Sequence, residues 1–342
     1  MQNRNQLFDF AISQHATDIH ICAGSPVQLR IGRKLKPVME ERLTPEKSRE
    51  LSYELLTPEQ RRIFEEQLDY DLMLAYGDAR FRVNVGYFNG AVGATIRILS
   101  GEPKLPEELF LPETVKTLAM KDKGLVLITG STSQGKTTTM ASIIDFVNTN
   151  CKKHIVTIED PIEYIHTNKK GIVRQREVGR DTKTFASGLR AALRQDPDVI
   201  AIGEMRDFET IRIAMTAAET GILVLSTLHV ISIDKMIERM LSYAPEESEN
   251  TMRFLLAETL QGVIHQELLP LIGGGQRVAC EIMTSTSGVK NIIRHKGGYH
   301  LRTVIDTGRK AGMCTMLDSV NAMLDKKLIS PETAARVLVS YT

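Results

Sequence analysis

The sequence predicts an α/β protein of two domains, a small N-terminal α+β domain followed by a larger one built on a parallel sheet. Three observations carry that reading. Apolar runs at Leu125–Thr129, Ile155–Ile158, Val199–Ile202 and Ile222–Ser226 alternate with helical stretches, the pattern of a parallel sheet covered on both faces. The first 99 residues instead alternate apolar and polar side chains in short runs, with helices between them. Between the two textures, residues 100–112 hold Gly101, Pro103, Pro106 and Pro112, and prolines so close together resist both helix and central strand. The expected division is a domain over 1–99, a linker over 100–112, and a second domain over 113–342 with a helical C-terminal part.

Each element has its own local cause. Val27, Leu29 and Ile31 alternate with Gln28, Arg30 and Gly32, which predicts a half-buried strand. Thr44-Pro45 and Thr57-Pro58 each place a capping hydroxyl before a proline suited to a first helical turn. Two alternating runs, Arg80 to Phe88 and Val92 to Ile98, flank Asn89-Gly90, a strong hairpin signal. Phe81, Val83, Val85 and Tyr87 share one face of that hairpin, as do Val92, Ala94, Ile96 and Ile98. Arg82 and Arg97 therefore fall on the opposite, non-core face. From about residue 246 the chain reads as mostly helical, broken at Gly273-Gly274-Gly275. There, Val289, Ile292 and Ile293 give one apolar helix face, while Lys290 and Arg294 share another, expected to be exposed and basic.

Composition excludes several classes. Lys and Arg number 43 against 42 Asp and Glu, a net charge of +1, which argues against a general nucleic-acid binder. No run approaches the roughly 18 apolar residues of a transmembrane helix. The start, Met1-Gln-Asn-Arg-Asn, opens no apolar signal core, so a cytosolic chain is expected. Cys22, Cys151, Cys280 and Cys314 are scattered, without the spacing of a zinc site or a disulfide framework.

The chemistry concentrates in the second domain. Gly130-Ser131-Thr132-Ser133-Gln134-Gly135-Lys136-Thr137 matches G-x-x-x-x-G-K-[ST], led in by an apolar strand and led out by a helix-compatible run from Thr138. Backbone N–H groups of such a loop and of the helix start cradle phosphates. Lys136 would reach the β- and γ-phosphates of ATP, and the Thr137 hydroxyl would bind Mg²⁺. The bland alternative is a Gly-rich turn with no ligand, which leaves the Lys-Thr pair without a purpose. Asp196-Pro-Asp-Val-Ile-Ala-Ile-Gly-Glu204 is an apolar strand ending in a carboxylate, the layout of a Walker B element. Glu159, Asp160 and Glu163 follow another apolar strand, where ligands of doubly wound sheets collect. They are either catalytic carboxylates or solvated loop charges. His229 closes a third such strand and is either a site residue or a structural histidine.

In this order, the loop at 130–137, the acidic box Thr157-Ile-Glu-Asp-Pro-Ile-Glu-Tyr, the Walker B strand and the box Thr220 to His229 resemble the secretion ATPases of type II and type IV pilus systems. The resemblance covers essentially the whole chain. Gly203-Glu-Met-Arg-Asp207 and Gly288-Val-Lys-Asn-Ile-Ile-Arg294 look like the family's pilus-retraction branch. It implies a RecA-like P-loop ATPase domain behind a PAS-like N-terminal domain, assembled as a homohexamer that couples ATP hydrolysis with Mg²⁺ to rotation. It further implies Glu163 as the base toward water, Glu204 near Mg²⁺, His229 as the second histidine-box residue, and Arg82, Arg97, Arg190 and Arg194 as phosphate sensors. The implied partner is an inner-membrane pilus platform protein, engaged peripherally from the cytoplasm, with no nucleic acid and no integral membrane segment.

The chain also departs from the family. Ser131 and Ser133 replace Pro and Gly of the usual Gly-Pro-Thr-Gly-Ser-Gly-Lys loop, Ile222 replaces the first box histidine, and Val230 replaces Thr. Three other readings compete with a retraction motor: an accessory or assembly-type motor, a ring subunit that binds nucleotide with little turnover, and a nucleic-acid motor on the same core. Assembly motors are longer and usually carry a tetracysteine insertion, which this sequence lacks.

Overall fold

The fold is described from a computed structural model covering residues 3–32, 34–77, 79–99, 102–295, 300–339 and 341. Two compact units emerge, one comprising Met1–Glu102 with Glu163–Ile165, the other Pro103–Ile162 with His166–Thr342. Ser100 and Gly101 of the expected linker lie outside the described residues. Residues 103–112 do not behave as a free linker. They belong to the second unit, where the Leu111 N–H bonds the Pro106 carbonyl at 2.9 Å and the Leu111 side chain is buried with Val115 and Leu118. The prolines prevent regular structure there, but the leucines between them still supply an apolar anchor.

The first unit runs α1 (Arg4–Ser13), β1 (Asp18–Ile21), β2 (Gln28–Ile31), β3 (Lys34–Pro37), α2 (Pro45–Tyr53), α3 (Pro58–Gln67), β4 (Asp69–Tyr76), β5 (Ala79–Phe88) and β6 (Ala91–Leu99). Its six strands form one antiparallel sheet in the order β3-β2-β1-β6-β5-β4. Thr44 and Thr57 cap α2 and α3 as their sequence context predicts, accepting from the N–H groups of Lys47 and Gln60. Asn89 and Gly90 both take positive φ, 52° and 80°, the requirement of the tight hairpin turn. Phe81, Val83 and Val85 are fully buried, and Phe8 of α1 stacks on Phe81 at 4.1 Å. Such a pair contributes about 0.5–1.5 kcal/mol beyond its area burial. Arg82 and Arg97 stand directly opposite each other in the register, both on the exposed face.

The second unit runs α4 (Glu113–Ala119), β7 (Gly124–Thr129), α5 (Lys136–Asn150), β8 (His154–Glu159), β9 (Ile172–Glu177), α6 (Phe185–Ala192), β10 (Val199–Ile202), α7 (Phe208–Glu219), β11 (Leu223–Leu228), α8 (Ile233–Leu241), α9 (Glu249–Thr259), β12 (Leu260–Pro270), β13 (Gln276–Thr284), α10 (Ser287–Arg294), α11 (Leu301–Thr307), α12 (Met316–Asp325) and α13 (Pro331–Leu338). Its seven-stranded sheet has the order β13-β12-β7-β11-β10-β8-β9, parallel except for the β12–β13 hairpin. Every residue of β7, β10 and β11 is buried, the reason these strands read as unbroken apolar runs.

Two further expectations need correction. The expected helical C-terminal part is interrupted, because Leu260–Pro270 and Gln276–Thr284 are paired strands turning at the triple glycine. Runs such as Val263-Ile264 and Ile282-Met283 are buried on a sheet whose covered faces erase the alternation that identifies a strand. The second correction concerns α10. Val289 and Ile293 are buried as expected, but Lys290 and Arg294 are not a free basic face. Both pair with Glu258 of α9, and the Arg294 guanidinium lies over the Phe254 ring at 5.5 Å.

Candidate nucleotide-binding site

Strand β7 delivers the chain to the C-terminal edge of the sheet, and residues 130–135 loop over to the start of α5. Gly130 sits at φ 145°, where a Cβ would lie 2.6 Å from the Gln266 carbonyl oxygen, a backbone atom with little room to yield. Gly135, at φ 80°, is the N-cap of α5 and leaves the first turn without a side-chain cap. An anion at that turn would have the helix dipole in its favour. Ser133 adopts φ 63° in place of the glycine usual there, a conformation costing about 1–3 kcal/mol for a non-glycine residue.

The loop is held by β12. The Gln134 side-chain carbonyl accepts the Leu268 N–H at 2.5 Å, and the Gln266 amide donates to the Gln134 backbone oxygen at 2.6 Å. Gln134 also stands where the family loop carries serine, a departure the sequence reading passed over. Its role requires β12, which the sequence did not reveal as a strand.

Lys136 is buried, and its ammonium donates to the carbonyls of Gly130 at 2.9 Å and Ser131 at 2.6 Å and to His229 Nδ1 at 3.4 Å. Burial pushes Lys136 down to about 8, with Glu204 opposing. An imidazole that accepts at Nδ1 carries its proton on Nε2, and that nitrogen faces Glu204 Oε2 at 3.6 Å. Burial first, then the Lys136 cation, hold His229 below its ordinary value. Glu204 follows the buried end of β10, its side chain only 13% exposed. Arg206 reaches Oε1 at 2.5 Å, while Oε2 is buried without a hydrogen-bond partner. Lys136, His229 and Glu204 thus form one line across three strand ends. Beside it opens a cavity of about 300 Å³ lined by Glu204, Arg206, Thr227, His229, Arg239 and Tyr243. Arg206 and Arg239 were not singled out from the sequence, although Arg206 sits two residues after Glu204 within the Gly-Glu-Met-Arg-Asp segment.

The other candidates each have their own surroundings. Glu159 accepts from Thr157 Oγ1 at 2.5 Å and Gln175 Nε2 at 3.0 Å, so it is held within the sheet edge. Glu163 is half-buried in the short segment grouped with the first unit. Arg190 on α6 pairs with Glu209 of α7, and Arg194 just beyond α6 is exposed. In the first unit, Arg97 donates to Asp18 Oδ1 at 3.0 Å. In the second unit Ser131 and Thr132 are exposed, Thr137 and Thr138 half-buried. The arrangement offers anion-binding N–H groups, a buried cation, and a carboxylate with an unused oxygen. Together these suit a polyphosphate with a divalent cation.

Comparison with known proteins agrees. Residues 2–320 match the family described as type II/IV secretion system protein. The chain is 42% identical over 330 residues to the type IV pilus retraction ATPase PilT of Pseudomonas aeruginosa, covering 96% of each chain. It is 40% identical over 284 residues to a twitching motility protein of Neisseria gonorrhoeae, covering 82% of this chain and 76% of that one. A crystal structure of the pilus retraction motor PilT with bound ADP superposes with a TM-score of 0.90 at 40% identity, covering 98% of this chain and 97% of the other.

Proposed function

This chain belongs to the type II/IV secretion system protein family, and we propose that it is an ATP-hydrolysing motor that retracts type IV pili and so drives twitching motility. The observation that carries the reading is the line Lys136–His229–Glu204 at the mouth of a phosphate loop, in a chain so similar to a retraction ATPase. Bound phosphates would draw the Lys136 ammonium away from the Gly130 and Ser131 carbonyls, exchanging neutral acceptors for charged ones. Thr137 and the unpartnered Glu204 Oε2 fit Mg²⁺, which takes few protein oxygens and completes its shell from phosphates and water. When bound, the ion would neutralise charge on the transferring phosphoryl group. In this reading Glu163 accepts the proton of the attacking water, His229 relates Lys136 to Glu204, and Arg82, Arg97, Arg190 and Arg194 sense phosphate charge. The working assembly is a homohexamer docked peripherally on an inner-membrane pilus platform protein. Among the described residues, no helix is long and apolar enough to cross a membrane.

Deleting the gene should give hyperpiliated cells that do not twitch, and complementation with Arg97→Ala should leave them immotile. Bald cells after deletion would point to pilus assembly instead. Absence of phosphate release by the purified protein would overturn the enzymatic reading.

A proton should accompany nucleotide. The buried Lys136 titrates near 8, whereas an anion beside it favours the charged form. Calorimetry of ADP binding at pH 8 in buffers of different ionisation enthalpy should therefore show uptake of about half a proton, fading below pH 7 where Lys136 is already charged. Proton release would contradict the assignment of Lys136 to the phosphates.

A further inference from the structure

The strand that grips the phosphate loop is itself gripped by the end of the chain. His265 lies beside Thr129 in the β7–β12 register, and Thr129 is the residue immediately before Gly130. His265 is buried, with Nδ1 3.0 Å from Thr129 Oγ1 and Nε2 2.8 Å from the Tyr341 hydroxyl. The Tyr341 hydroxyl donates at 2.8 Å to Glu267 Oε1. Because that phenol spends its proton on Glu267, it accepts from His265 Nε2–H. His265 Nδ1 is then a lone pair that accepts from the Thr129 hydroxyl. The chain of donors runs one way, Thr129 to His265 to Tyr341 to Glu267, and it requires a neutral imidazole. Burial secures that, pushing His265 down to about 4.

The geometry amounts to a clasp. His265 and Glu267 are two residues apart on one face of β12, and a single phenol oxygen bridges them. The intervening Gln266 and the following Leu268 bond Gln134 at the far side of the phosphate loop. One four-residue stretch of β12 therefore holds both ends of the loop, through Thr129 before Gly130 and through Gln134 before Gly135. The tail is fixed from behind, since Arg302 of α11 donates to the Tyr341 carbonyl and the Tyr341 ring packs beside the core of α12 and α13.

We propose that Tyr341 is a positioning residue for the phosphate loop, acting through His265 and Thr129 to hold the loop in its nucleotide-binding shape. This rests on the reading of residues 130–137 as the nucleotide site, and nothing in it requires Tyr341 to touch nucleotide. Its action is selective because the phenol oxygen serves the β12 side chains, whereas the ring serves packing.

Tyr341→Phe in the full-length protein separates the two, keeping the ring and deleting the oxygen. ADP binding by calorimetry and steady-state ATPase should show the ADP Kd and the KM for ATP raised about 2- to 30-fold, the range over which mutations along a contiguous network tune a distant site. The kcat should fall less. Thr129→Val breaks the other end of the same chain without altering volume much. Once either end is cut the other contributes nothing, so the double variant should lose little more than the worse single variant. Additive losses overturn the proposal, as does a Tyr341→Phe protein with unchanged ADP affinity and KM, whatever its thermal midpoint. If Tyr341→Phe does not fold, Thr129→Val alone must raise the ADP Kd by a similar factor, and an unchanged value overturns the idea. Wild-type protein that binds no ADP would refute the nucleotide site itself, a distinct failure.

Discussion

Lys136→Ala should leave the fold in place and lower ATP turnover by at least about 10²- to 10³-fold, the loss typical when a positioned charge facing a transition state is removed. Three features set the size of the effect. Lys136 is the cation at the loop that reaches both the loop carbonyls and His229, so its loss removes the loop's own positive side chain from beside the phosphates. Its removal also deletes the main cationic influence on His229, which is then easier to protonate. Stability should change little or improve slightly, because a buried ammonium pushed down to about 8 is itself unfavourable at neutral pH, and exposed Ser131 can turn its carbonyl to water. Phosphate release and a thermal midpoint, read on the same sample, check both halves. Turnover within tenfold of wild type would remove Lys136 from the site.

Much of this site is legible in the sequence, and the limits of that legibility have physical causes. The phosphate loop, Glu204 and His229 sit at the ends of β7, β10 and β11, strands so fully buried that composition alone marks them. Arg82 and Arg97 could be placed on one exposed face because a two-sided antiparallel hairpin preserves the alternation of its residues. The β12–β13 hairpin lacked such a signal, since its strands are largely buried on both faces and the first follows directly on α9, and the grip of Gln266 on the loop was lost with it. The pairing of Lys290 and Arg294 with Glu258 was hidden for another reason. Helix periodicity states which side chains share a face but not which helix covers it. The grouping of Glu163–Ile165 with the first unit is likewise a contact between segments far apart in the chain, and local pattern carries no information on it.

Glu204→Gln should reduce kcat by about 10²- to 10⁴-fold while shifting the ADP Kd by no more than a few-fold. The substitution is nearly isosteric, so the buried end of β10 and the cavity beside it keep their shape. Two electrostatic relationships change at once. Oε2, buried and without a hydrogen-bond partner, is the oxygen suited to a divalent cation, and an amide there has either a weaker acceptor or a donor pointed at the metal. Glu204 is also the one group holding the His229 proton against the pull of burial, Lys136, Arg206 and Arg239. Without that carboxylate His229 falls further below its ordinary value and stays neutral across the whole working range of pH. Arg206 keeps a hydrogen-bond acceptor in the glutamine oxygen but loses its counter-charge, a modest cost because its side chain is 68% exposed. Ground-state binding of ADP depends chiefly on the loop N–H groups and Lys136, which the substitution does not touch, so the damage should fall on the step in which charge develops. Steady-state kinetics alongside ADP calorimetry separate these terms. A variant that merely raises KM, with kcat intact, would show that Glu204 helps to bind nucleotide rather than to cleave it.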